Sequence, residues 1–145
     1  MIGISFHTGG WLRYAFREEQ FGKRSDSDLQ YSYLSYRRAT DNTVVNLGRV
    51  MVFEGVAAER VDGLSARTDL AGGFGISGFG GGPVETGIDQ PGNSSIYGGR
   101  LSHQVSNIYR VGMSALKEEK NSIDFRRESG IDLWVHPAGK IDLAG

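Results

Sequence analysis

The sequence predicts an all-β chain of antiparallel, up-and-down hairpins that forms a transmembrane β-barrel or part of one. Two observations predict it: period-2 alternation of apolar and polar residues over long segments, and connections that alternate between tight turns and longer loops. The clearest alternation is at the start. Ile4, Phe6, Thr8, Gly10, Leu12, Tyr14 and Phe16 share one parity, against Ser5, His7, Gly9, Arg13, Ala15 and Arg17, with Trp11 the exception. A helix would scatter the first set around its surface; a strand puts them on one face.

A polar stretch at residues 18–27 separates this segment from a second strand near Asp28–Ala39, which carries Tyr31, Tyr33 and Tyr36. Thr40-Asp41-Asn42 closes a tight turn through local side-chain hydrogen bonds. The third strand, about Thr43–Phe53, places Val45, Leu47, Met51 and Phe53 on one face, interrupted by Arg49. A loop is expected over Glu54–Glu59, then a fourth strand over Arg60–Leu70, where Leu64, Ala66 and Thr68 oppose Gly63, Arg67 and Asp69. Ala71-Gly72 turns the chain into a Gly-rich fifth strand at 73–81, followed by a long loop to about Ser94.

The sixth, seventh and eighth strands are expected at Ser95–Gln104, Ile108–Glu118 and Phe125–His136, with a medium loop near Glu119–Asp124. A ninth begins after Pro137-Ala138-Gly139. Segments of this length match the ~9–11 residues a tilted strand needs to cross a bilayer, against a mode of ~5–6 in soluble sheets. Small residues on the apolar faces, such as Gly10, Ala66, Gly99 and Ala115, suit lipid better than a dry core, where they would leave voids. The whole of 1–145 is expected to be one domain.

Composition limits the function. With 16 basic and 17 acidic residues the net charge is −1, so no global field favours nucleic acid. The absence of cysteine excludes disulfides and thiolate metal sites. Gly73-Phe74-Gly75-Ile76-Ser77-Gly78 fits a dinucleotide-binding pattern, but Phe79-Gly80-Gly81-Gly82-Pro83 cannot start the helix such a site requires. His7, His103 and His136 have no neighbour at metal-ligand spacing, and the Glu18-Glu19 and Glu118-Glu119 pairs sit at loop edges. Asn93-Ser94-Ser95 matches a glycosylation acceptor, which means little if the protein is bacterial. No cofactor, metal or catalytic set is expected, and no enzyme. Arg13, Arg17, Arg67, Arg100 and Arg110 share the polar parity of their strands with Asp69 and Asp132, which makes them candidate pore-lining residues; Arg49 joins them if a bulge at Gly48 re-aims it.

Asn46-Leu47-Gly48-Arg49, then Arg60-Val61-Asp62-Gly63-Leu64, Tyr97-Gly98-Gly99-Arg100-Leu101 and Gly130-Ile131-Asp132-Leu133-Trp134-Val135 resemble strands of bacterial outer-membrane porins. The resemblance implies an outer-membrane location and passive passage of small polar or anionic solutes. Its expected partners are outer-membrane lipid and those solutes, or a periplasmic electron-transfer partner sheathed by the barrel. No signal peptide is visible, and the ending Asp142-Leu143-Ala144-Gly145 falls within a strand, so a portion of a larger barrel is expected. The alternative is a soluble or surface β-sheet binding module that recognises ligands with its long loops.

Overall fold

The computed structural model describes residues 1–14, 25–84, 94–106, 108–121, 123–135 and 143–144. The strands are β1 (Ile2–Tyr14), β2 (Ser25–Arg38), β3 (Thr43–Glu54), β4 (Ala57–Asp69), β5 (Phe74–Pro83), β6 (Ser94–Val105), β7 (Tyr109–Lys120), β8 (Ile123–Val135) and the two-residue β9 (Leu143–Ala144). They form one antiparallel sheet in sequence order, without crossovers. No α-helix occurs among the described residues. Among the described residues the sheet is not closed: β1 and β9 are its edges, and β9 pairs with Trp134 and Val135 of β8.

Two expected loops are tight turns instead. Glu54 pairs with Ala57, so Gly55-Val56 alone joins β3 to β4; Lys120 pairs with Ile123 where β7 reverses into β8. Gly55 and Asn121 take the left-handed backbone (φ 60° and 52°) that such short reversals need. The longer connections at 15–24 and 85–93 lie outside the described residues. At the opposite end, the β2–β3 turn is stapled by side chains. Asn42 Nδ2 donates to Asp69 at 2.9 Å, the Thr43 and Thr68 hydroxyls meet at 2.8 Å, and Arg38 Nε donates to Asp41 at 3.0 Å.

Alternation gives the sheet two unlike faces. On the convex face Phe6, Leu34, Leu47 and Leu64 stand opposite one another on β1–β4, and Ile76, Leu101, Met113 and Ile131 do so on β5–β8. All eight are exposed. The concave face holds a small core of Val50, Val52, Ala57, Val61, Phe79, Ile96 and Leu116. Most apolar side chains therefore point outward, the reverse of what hydrophobic burial produces in a sheet folded in water.

The core exists because the sheet creases. Tyr33, Gly48, Gly63, Gly81 and Ile96 form one register row on the concave side. Three adjacent strands there carry no side chain, and a Cβ on Gly63 would sit 2.7 Å from the Cα of Gly81. Gly48 has φ 128°, a conformation that other residues rarely adopt. Beyond this row the β3–β4 hairpin folds across the concave side, bringing its valines against Phe79, Ile96 and Leu116.

Candidate functional site: the concave face

The lower half of the concave face is polar. Arg37, Val44, Arg67, Ser77, Arg100, Ser114 and Gly130 form one register row across β2–β8, so that β2, β4 and β6 each contribute an arginine. One row lower come Asp69, Gly75, Ser102, Gly112 and Asp132, and below these Gln104, Arg110 and Trp134. Arg67, Asp69, Arg100, Ser102, Gln104 and Arg110 line a groove of about 350 Å³, with Glu54 at its margin.

The charges are unequally engaged. Arg100 reaches across β7 to Asp132, with Nε to Oδ1 at 3.2 Å and Nη2 to Oδ2 at 2.5 Å. That path lies over Gly112, where a Cβ would come within 2.7 Å of Asp132 Oδ1. Arg110 donates from Nε to the side-chain Oε1 of Gln104 at 2.9 Å. Arg37 and Arg67 form no ion pair among the described residues. Two guanidinium groups are thus free to meet an anion, and a third is held rigid by its carboxylate.

The upper half is different. The β3–β4 tip touches the middle of β7 and β8: the Val56 N–H donates to Ser114 Oγ at 3.1 Å, and Val56 is packed so closely on Gly130 that a Cβ there would meet Cγ1 at 2.5 Å. Glu59 accepts from Arg126 across the concave side, and Arg126 also lies 3.6 Å from Glu118 and 3.4 Å from Glu128. One cation among three carboxylates makes this cluster net acidic. His7 lies toward the β1 edge, 2.8 Å from Ser5 Oγ and stacked on Tyr33 at 5.0 Å.

Of the residues the sequence nominates, Arg67, Asp69, Arg100, Arg110 and Asp132 come together on this face. Arg49 does not. The register runs unbroken through Leu47–Leu64, Gly48–Gly63 and Arg49–Asp62, so Gly48 inserts no bulge and Arg49 stays on the convex side. It forms a two-pronged pair with Asp62 at 2.7 Å and donates to the Leu29 carbonyl at 3.1 Å, beside the Arg60–Asp28 pair at 2.8 Å. The strand keeps its alternation, and neutralisation by Asp62 takes the place of re-aiming. Arg17 and the side chain of Arg13 lie outside the described residues, as do His136, Asn93 and Glu18-Glu19. The Gly73–Gly78 pattern falls largely on strand β5, with no helix after it. His103 stands at the lower rim of the convex face, its Nδ1 accepting from Tyr109 at 3.1 Å and its Nε2 donating to the Gly72 carbonyl at 3.1 Å.

Sequence reasoning missed Arg37, Glu54, Glu59, Ser114 and Arg126. Arg37 is masked by Arg38, which together read as a turn approach. The others matter only through the inward fold of the hairpin. One local signal existed: Val50-Met51-Val52-Phe53 is apolar on both parities, as a strand covered on both sides is. Among the described residues no group of three or more His, Asp or Glu is placed to hold a metal ion. Compared with protein-family models, curated proteins and solved structures, the chain matches none.

Proposed function

We propose that the chain forms wall of an outer-membrane β-barrel through which small polar or anionic solutes diffuse, with the concave face as the lumen. The observation that carries this reading is the slant of the convex apolar belt. On β1–β4 the belt comprises the rows Ile4–Tyr36–Val45–Ala66 and Phe6–Leu34–Leu47–Leu64. The same rows continue on β5–β8 as Gly78–Gly99–Ala115–Ser129 and Gly80–Tyr97–Lys117–Arg127. There the large apolar residues lie lower, at Ile76–Leu101–Met113–Ile131 and, in the next row, at Phe74, Val111 and Leu133.

The belt therefore drops by ~1 residue per strand, which at ~3.3 Å per residue and ~4.8 Å between strands is a slope of ~35°. Strands of membrane barrels tilt by about 35–45° to the bilayer normal, so a level lipid belt must cut their register rows at this angle. Charged pairs bound the belt above: Arg49–Asp62 on β3–β4, and Lys117 with Glu119 and Asp124 on β7–β8, the last pairs at 2.5 and 2.7 Å. Phe74, His103 and Tyr109 cluster at the opposite margin, where aromatic side chains suit an interface. In lipid both sheet edges require strand partners, supplied by each other or by further strands of a larger barrel.

Diffusion past the arginine row needs no turnover; the free guanidiniums of Arg37 and Arg67 would raise the local anion concentration. Conductance across a planar bilayer tests this, with anion preference expected to fall in Arg67→Ala and Arg110→Ala. Unchanged selectivity in both would remove the lumen assignment. The second reading, a soluble or surface binding sheet, is favoured by one observation: the concave face already buries a core of its own. Recovery of a folded, monodisperse chain without detergent would support it instead.

A further inference from the structure

The outer half of the β3–β4 hairpin is attached to the sheet in an unusual way. Pairing of β2 with β3 ends at Ser32–Arg49, and pairing of β4 with β5 ends at Val61–Pro83. Apart from the Val84 N–H to the Arg60 carbonyl, residues 50–60 have no ladder to either neighbouring strand among the described residues. They are a flap paired with itself, joined to the wall at the glycine crease of Gly48, Gly63 and Gly81. Its inner side is apolar (Val50, Val52, Ala57), and its tip and shoulder are held by two polar contacts: Val56 to Ser114, and Glu59 to Arg126.

We infer that this flap is a lid, hinged at the glycine crease and latched by the Val56–Ser114 hydrogen bond and the Glu59–Arg126 ion pair, that closes the upper half of the concave channel. Its apolar underside packs on Phe79, Ile96 and Leu116, but its tip rests on the small residues Ser114 and Gly130, and its shoulder on a carboxylate cluster around Arg126, so polar contacts rather than large side chains hold its outer end. Opening would join the arginine groove to this acidic cluster. The closed lid extends the channel reading, but it is a property of the fold that can be measured without a membrane.

The chain has no cysteine, so single thiols report cleanly. Ser114→Cys lies under the tip and weakens the hydrogen-bond latch while keeping the Glu59–Arg126 pair, whereas Ser106→Cys lies in an exposed turn. With a water-soluble maleimide, Ser114→Cys is expected to react at least about tenfold more slowly, and Glu59→Gln to accelerate it about tenfold by removing one charge-assisted latch, leaving Ser106→Cys unchanged. Equal rates for the two thiols, or no response to Glu59→Gln in a chain of native circular dichroism, would overturn the lid. A second variant guards against a misfolded latch mutant: Val56→Cys/Ser114→Cys should form a disulfide on mild oxidation, and failure to do so also overturns it. Applied in a bilayer, reduction of that disulfide should raise the current. An oxidised channel that conducts like the reduced one contradicts the lid, whereas a chain that never inserts contradicts only the channel reading.

Discussion

Arg100 and Asp132 meet across an intervening strand, and they can do so because Gly112 between them has no side chain. A Cβ at that position would strike the Arg100 guanidinium and Asp132 Oδ1 together. Gly112→Ala is expected to displace the Arg100–Asp132 pair at a cost of about 0–1 kcal/mol, since the atoms it meets are the ends of flexible, partly exposed side chains. Chemical denaturation checks it. Arg100→Ala in the Gly112→Ala background should restore part of the loss, because the clash is with the guanidinium.

Leu116 is 2% exposed and faces the underside of the β3–β4 flap. Its replacement by Ala should cost about 2–5 kcal/mol, as for other buried leucines. Leu47→Ala, on the exposed convex face, should cost well under half of that in detergent solution. Similar losses at both positions, measured by denaturant unfolding, would contradict the assignment of the core to the concave side.

How much of this was legible beforehand differs between the faces. The strands were, because alternation is local: Leu64, Ala66 and Thr68 declare their shared side within five residues. The β3–β4 turn was not. Glu54-Gly55-Val56-Ala57 is as polar and small as a loop, and what makes it a hairpin tip is contact with Ser114, 58 residues away. Arg49 is hard to place from the sequence for a related reason, since the carboxylate that lets it remain on an apolar face lies on the next strand. Pairing partners are set by register, and a single strand does not reveal its register.

The slanted belt makes a positional prediction. Leu47→Arg and Met113→Arg sit within the belt and should each reduce refolding stability in vesicles by about 2–4 kcal/mol, whereas Ser95→Arg, in the charged margin, should cost about 0–1 kcal/mol. Leu47 and Lys117 occupy the same register row. A level belt along that row would make Lys117→Leu neutral; the slanted one places position 117 among headgroups and predicts a loss of its pairs with Glu119 and Asp124.

Asp41, in the β2–β3 turn, has its carboxyl held at about 2, chiefly by the hydrogen bond from Arg38, with Thr43 contributing. The ordinary Asp value is near 4. A depressed folded value means that the stabilisation is complete above the unfolded pKa and disappears as pH falls from about 4 through about 2. NMR titration of the Asp41 carboxyl should give a midpoint near 2 in the parent and a rise toward the usual range in Arg38→Ala. A midpoint near 4 in the parent would contradict the turn geometry.

The central claim, that the outward apolar face is a lipid face, is tested most directly by polarised infrared spectroscopy of the chain refolded into oriented bilayers. The account predicts stable retention in the bilayer, with the amide dichroism of strands tilted by about 35–45° from the membrane normal. A chain that washes off the bilayer as a folded soluble species, or that stays with its strands lying in the membrane plane, would contradict it.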